Sequence, residues 1–182
     1  MKKFSLNCVL IGEGNLLTEC AEILIRNNYQ VSTVISTDQA IARWTANHNI
    51  FYFKNLRQFQ QISSPAQYDY LFSIVNHTIL NQEILNLAKT AINYHDALLP
   101  AYAGVNATSW AIINGEKQHG ITWHEMKLEV DTGKILKQVK IELEPLETAL
   151  TLNAKCYQAA IVSFQELVEE LAAKKITFTF FN

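Results

Sequence analysis

Tyr70-Leu71-Phe72-Ser73-Ile74-Val75 is an almost unbroken apolar run. It is short for a buried helix and lacks the alternating polar residues that a half-exposed strand keeps. A strand covered on both faces of a parallel sheet has this composition. Downstream, Ile79 to Lys89 shows helical spacing, and Ala91-Ile92-Asn93-Tyr94-His95 reads as a further strand entering the loop Leu98-Leu99-Pro100. Upstream, Leu6-Asn7-Cys8-Val9-Leu10-Ile11 predicts a first strand that ends at Gly12, and Leu16 to Asn27 a helix with Leu17, Cys20, Ala21, Leu24 and Ile25 on one stripe. Val31 to Ile35 predicts a second strand, Thr37-Asp38 the cap of a helix through Ile41 and Trp44, and Ile50 to Phe53 a third strand. Leu56 to Ile62 reads as a short helical piece and Ser63-Ser64-Pro65 as a loop.

Strand and helix thus alternate from residue 5 to residue 95, which predicts an α/β fold: a mostly parallel, Rossmann-like sheet with helices on both faces. Beyond residue 95 the pattern changes. A helix is expected around Ala107 to Asn114, then two period-two segments, Gly120 to Met126 and Ile135 to Ile141, flanking Asp131-Thr132-Gly133 as a hairpin-like pair. Leu150 to Ala172 predicts a long amphipathic helix. The 182 residues fit one domain.

Composition narrows the function. Fifteen basic residues against seventeen acidic ones give a net charge of -2, without the basic face that a phosphate-gripping surface carries, so DNA is not favoured as a partner. No run reaches the roughly 18 apolar residues of a membrane span. Met1 to Ile11 has a basic start, but Asn7 interrupts its short apolar part, which favours a buried strand over a secretory signal. Cys8, Cys20 and Cys156 are odd in number and set among apolar residues, as reduced cytoplasmic thiols are, and supply neither a disulfide framework nor a metal site.

Several motifs invite chemistry. Gly12-Glu13-Gly14 after the first strand suggests dinucleotide binding, but Leu17 fills the third small position and no well-placed ribose acid follows Val31, so a glycine-requiring turn is the better reading. His48, His119 and His124 read as ordinary structural histidines without metal-ligand spacing, whereas His77 ends a buried strand where ligands bind. Asn93 and His95, two apart on an extended segment, point the same way. An amide and an imidazole on one face can stabilise an oxyanion and exchange a proton beside it, or can terminate a strand by local hydrogen bonds. Asp131 either initiates a turn before Thr132-Gly133 or serves the same chemistry.

Taken together, Asn93-x-His95, Leu98-Leu99-Pro100, Gly104, Trp110-Ala111-Ile112-x-x-Gly115-Glu116, Gly120-Ile121-Thr122-x-His124 and Asp131-Thr132-Gly133-x-Ile135-Leu136 resemble the catalytic domain of the 10-formyltetrahydrofolate-dependent formyltransferases in order and spacing. The resemblance implies a catalytic Asn93, His95 and Asp131 triad that moves a formyl group from 10-formyltetrahydrofolate to an amine, without a metal. Asn93 and His95 would stabilise the oxyanion, while Asp131 orients His95 or relays protons through water. It places the pterin against Asn76, His77, Thr78, Ile79, Leu80 and Leu85 and against Lys127, Leu128, Glu129 and Val130; ordinary packing is the competing reading for Ile79, Leu80 and Leu85. Acceptor contacts fall on Tyr102, Gly104 and Asn106, the last of which equally suits a helix cap.

The chain departs from many relatives in having Ala101-Tyr102-Ala103 after the Leu-Leu-Pro turn, where others carry basic residues suited to a phosphate-bearing acceptor. It also stops after Phe178-Thr179-Phe180-Phe181-Asn182, read as a strand completed elsewhere. These departures predict the formylation domain of a nonribosomal peptide synthetase, cut from a longer chain and acting on an aminoacyl carrier protein beside adjacent synthetase domains. A nucleotide-amino-sugar N-formyltransferase comes second, methionyl-tRNA formyltransferase third, and a non-catalytic folate-binding module is the alternative of a different class.

Overall fold

A computed structural model describes residues 6–62 and 67–173. The expected Ser63-Ser64-Pro65 loop and the expected C-terminal strand lie outside them. Contacts divide the chain into two compact units, Met1–Asn93 and Tyr94–Asn182.

The first unit carries β1 (Leu6–Gly12), α1 (Gly14–Arg26), β2 (Tyr29–Ile35), α2 (Gln39–Asn47), β3 (Phe51–Phe53), α3 (Leu56–Gln60), β4 (Tyr68–Ile74), α4 (Gln82–Leu85) and most of β5 (Ala88–His95). Its strands lie in the order β3-β2-β1-β4-β5, every pairing parallel. Leu10 sits between Val34 of β2 and Phe72 of β4, and all three are fully buried, which is why β1 and β4 read as continuous apolar runs. Helix α1 buries Leu16, Leu17, Cys20, Ala21, Ile23 and Leu24, each large side chain contributing roughly 1.5–3 kcal/mol. Asp38 caps α2 by accepting the Ala40 N–H at 2.7 Å, as its position predicted.

One feature corrects the sequence expectation, and another gives the physical cause of a turn it anticipated. The helix read over Ile79 to Lys89 is only α4, because Asn81 caps it through the Ile84 N–H at 3.1 Å and the chain is already in β5 at Ala88. The Gly12 turn has a specific cause. Gly12 has φ 147°, and a Cβ there would lie 1.7 Å from the Ile74 carbonyl oxygen, so only glycine lets β1 pass the end of β4.

The second unit contains the end of β5, α5 (Ala107–Ile113), the antiparallel pair β6 (Gln118–Glu125) and β7 (Ile135–Glu142), and α6 (Ala149–Ala173). Its core is aromatic. Trp123 packs against Phe164 at 4.8 Å between ring centroids and donates Nε1–H to Ser163 at 3.1 Å, fixing α6 on β6. Burial in this core pushes the Cys156 thiol up to about 12, with the Asp96 charge adding to the effect, so it is an inert thiol; Cys8 and Cys20 are buried and free as well. None of the described helices is long and apolar enough to cross a membrane.

Candidate active site

The loop after β5 is fixed by its own hydrogen bonds. Thr122 on β6 donates to the Ala97 carbonyl at 2.6 Å and accepts the Leu99 N–H at 3.1 Å, while Gln138 on β7 donates to the Leu99 carbonyl at 2.8 Å. His119 Nε2 lies 2.6 Å from the Asp96 carbonyl, and burial holds its pKa below the usual 6.5. The Leu99–Pro100 peptide is cis. Gly120 leaves room for Leu98, whose side chain would meet a Cβ there at 2.6 Å.

His95 ends β5 and is buried. Its Nε2 is 2.8 Å from the Tyr102 carbonyl oxygen, which can only accept, so Nε2 carries a hydrogen and Nδ1 faces Asp131 Oδ2 at 3.8 Å. That separation is too long for a direct hydrogen bond, and since Nδ1 of the neutral ring only accepts, the two are joined by a bridging water or by protonation of the ring. Asp131 also accepts the Gly104 N–H at 2.9 Å and meets His124 Nε2 at 3.5 Å, with its side chain only 7% exposed. Burial alone would raise the Asp131 pKa. The His124 contact, the Gly104 N–H and the nearby imidazoles outweigh that and hold it below the usual 3.8. A carboxylate facing two imidazoles is thus kept ionised, which suits a group that orients one ring and balances its charge.

The backbone holds this geometry under strain. Asp131 has φ 58°, a left-handed conformation that Asp tolerates better than most residues. Two residues on, a Cβ on Gly133 would lie 1.7 Å from the Glu125 carbonyl oxygen, so the Asp-Thr-Gly turn presses directly on the end of β6.

His124, read from the sequence as an ordinary structural histidine, is the second imidazole on Asp131. A register shift between Trp123 and His124 in the β6–β7 pairing accompanies its approach, and no local pattern reveals such a shift. The hairpin flanking Asp131 was the available signal. Asn93 closes the first unit two residues before His95 on the same strand.

The other expected site residues divide sharply. In the first unit, Asn76 spends its side chain on its own loop, accepting the Thr78 N–H at 3.0 Å and donating to the Thr78 carbonyl at 2.9 Å. Val75 just before it has φ 52°, a rare and strained conformation for a β-branched residue. His77 and Thr78 are exposed and Ile79 is 77% exposed, whereas Leu80 and Leu85 are buried in the core. In the second unit, Lys127, Leu128, Glu129 and Val130 are all exposed. Tyr102 donates its hydroxyl to Glu116 at 2.6 Å and accepts from Asn114 at 3.0 Å, so its phenol is already engaged. Gly104 serves Asp131, and Asn106, with φ 60°, precedes α5 without a side-chain capping bond. Among the described residues no cluster of His, Cys, Asp and Glu could hold a metal ion.

A family model described as formyl transferase matches residues 24–168. The chain is 34% identical over 130 residues to the bifunctional polymyxin resistance protein ArnA of Wigglesworthia glossinidia brevipalpis, covering 70% of this chain and 20% of that protein. It is 29% identical over 175 residues to GDP-perosamine N-formyltransferase of Brucella melitensis, covering 90% of this chain and 68% of that one. The chain therefore spans about a fifth of the first relative's length and about two thirds of the second's. Among solved structures, an N-formyltransferase from Helicobacter canadensis in complex with folinic acid and dTDP-3-aminofucose matches with a TM-score of 0.81 at 20% identity, over 98% of this chain and 68% of that one. At that identity the likeness speaks for the fold alone, a mostly parallel α/β sheet.

Proposed function

Because the chain belongs to the formyl transferase family, we propose that it transfers a formyl group from 10-formyltetrahydrofolate to the amino group of a nucleotide-linked amino sugar. The observation that carries the chemistry is the buried His95–Asp131 pair, braced by the Gly104 N–H and by His124. The acceptor class is supported by the GDP-perosamine relative and by the ligands named with the Helicobacter structure. When bound, the donor supplies an electrophilic formyl carbon on a nitrogen leaving group.

The residues then divide the work. Asn93 donates its amide N–H to the negative charge developing on the formyl oxygen, and His95 stands beside the attacking amine to take the proton that the new C–N bond releases. The Tyr102 carbonyl holds the His95 ring through Nε2, and Asp131, facing Nδ1, stabilises the charge the ring gains when that nitrogen takes the proton. The proton finally replaces the formyl group on the donor nitrogen, which balances the transfer. Within the first unit, exposed apolar Ile79 offers a surface that a flat pterin covers, with Leu80 and Leu85 packed in the core behind it.

The expected aminoacyl-carrier acceptor rests on the uncharged Ala101 and Ala103, and none of these relatives carries a name that speaks for it. Incubating the protein with 10-formyltetrahydrofolate and separate acceptors tests the choice by mass spectrometry. Formylation of GDP- or dTDP-linked amino sugars is expected. Formylation of an aminoacyl carrier protein alone would transfer the assignment to that acceptor, and tight folate binding without any transfer would leave a binding module.

A further inference from the structure

The first unit holds a cavity of about 450 Å³ at the carboxyl ends of its strands, lined among others by Glu13, Ser36, Thr37, Lys54, Arg57 and Asn76. That volume lies in the range of small-molecule pockets. Its walls follow the strand order β3, β2, β1, β4, so they span three inter-strand spacings, roughly 14 Å. The order of connection reverses between β1 and β4, with Gly12 on one side and Asn76 on the other. Such a reversal opens a crevice where doubly wound sheets bind ligands.

Glu13 supplies what β2 lacks. Its Oε1 accepts the Thr37 N–H at 2.9 Å and the Thr37 hydroxyl at 2.8 Å, and its Oε2 accepts the Ser36 hydroxyl at 3.0 Å. A carboxylate at the end of the second strand is the group that reads ribose hydroxyls in nucleotide-binding sheets. Here it arrives from the β1–α1 turn, and Oε2 retains a free lone-pair direction for a further donor. On the neighbouring edge of the crevice, Lys54 follows β3, whose Phe53 carbonyl accepts the Ser36 N–H at 3.0 Å, and Arg57 lies in α3. Both are exposed, and neither has an ion pair or a side-chain hydrogen bond among the described residues. Two unpaired cations on one cavity suit phosphate, which a guanidinium grips in a bidentate way.

We propose that this crevice binds a nucleoside diphosphate, with its ribose at Glu13 and its phosphates at Lys54 and Arg57. It is not a dinucleotide fingerprint. Gly12 is committed to the β4 contact and Leu17 is fully buried, so the phosphates rely on side chains rather than on a glycine-rich turn. The nucleotide is either the nucleotide portion of an amino-sugar acceptor or a free nucleotide. Only the first source rests on the proposed function.

Calorimetric titration of the full chain with GDP, dTDP, guanosine and inorganic pyrophosphate tests the proposal without reference to formyl transfer. The Lys54→Ala/Arg57→Ala double variant is expected to weaken nucleoside diphosphate binding at least about tenfold and to flatten its salt dependence. Glu13→Gln is expected to weaken the diphosphates while leaving pyrophosphate unchanged, and Thr37→Val provides a second probe if Glu13→Gln unfolds. Absence of diphosphate binding to the wild type, or equal affinity in the double variant, would overturn the site. Competition with a GDP-linked amino sugar then separates the sources: mutual exclusion assigns the acceptor's own nucleotide, and simultaneous binding assigns a free one.

Discussion

Gly133→Ala tests whether the Asp-Thr-Gly turn sets the active geometry. An added Cβ would lie 1.7 Å from the Glu125 carbonyl oxygen, about 1.6 Å inside an ordinary carbon–oxygen contact. The obstructing atom is backbone, in a strand whose next hydrogen bond, from the Glu125 N–H to the Lys134 carbonyl, is 2.9 Å long. Rotamer change therefore cannot relieve the clash, and the turn itself must move. Asp131 lies two residues from the clash and meets His124 and His95 at 3.5 and 3.8 Å. A displacement above an ångström breaks both contacts and the Gly104 bond, and misplacement of that size costs about 10²-fold in rate. Overpacking adds roughly 1–3 kcal/mol of destabilisation. Thermal unfolding by circular dichroism, followed by kcat/KM for formyl transfer well below the variant's Tm, separates the two effects. Wild-type turnover in a folded Gly133→Ala protein would refute the link between this turn and catalysis.

His95→Ala and Asp131→Ala should each lower kcat by at least about 10²-fold while leaving the circular dichroism spectrum unchanged; near-normal turnover in either removes that residue from the mechanism. Asp131 has a depressed folded pKa, so its contribution to stability is complete above the unfolded value of 3.8 and is lost as pH falls through the lower folded value. Urea midpoints measured across the acid range should therefore converge between wild type and Asp131→Asn, and a constant gap would contradict this. His119 is likewise depressed, by burial, so the stability it contributes declines as pH falls below 6.5 towards its folded value. His119→Gln should flatten the wild-type loss of stability in that window, and an unchanged slope would show that other groups cause it. Phe164→Ala should cost about 3–5 kcal/mol in denaturant unfolding through the lost Trp123 contact, and a loss below one would place the core of the second unit elsewhere.

Much of this fold was legible because burial on both faces leaves an uninterrupted apolar mark. β1 and β4 were readable on that ground, and the cap at Asp38 on its side chain alone. The helix expected over Ile79 to Lys89 misled because Ile84, Leu85 and Leu87 satisfy helical spacing equally well as a single turn followed by a strand. At the proposed site, the order and spacing of Asn93, His95 and Asp131 carried the family resemblance. His124 and Glu13 were missed for a shared reason. The first meets Asp131 where the β6–β7 register shifts, and the second bonds Ser36 and Thr37 more than twenty residues away, so both roles arise only in three dimensions. The first-ranked acceptor rested on uncharged Ala101 and Ala103, which describe one loop, whereas the relatives named for nucleotide-linked sugars favour the second-ranked one.

The central claim is tested most directly by following a carbon-labelled formyl group from 10-formyltetrahydrofolate by nuclear magnetic resonance in the presence of a GDP-linked amino sugar. The account predicts a new formamide signal on the sugar nitrogen, formed catalytically by the wild type and at least about 10²-fold more slowly by His95→Ala. No sugar formamide with any nucleotide-linked amino sugar, or equal rates in the two proteins, would contradict it.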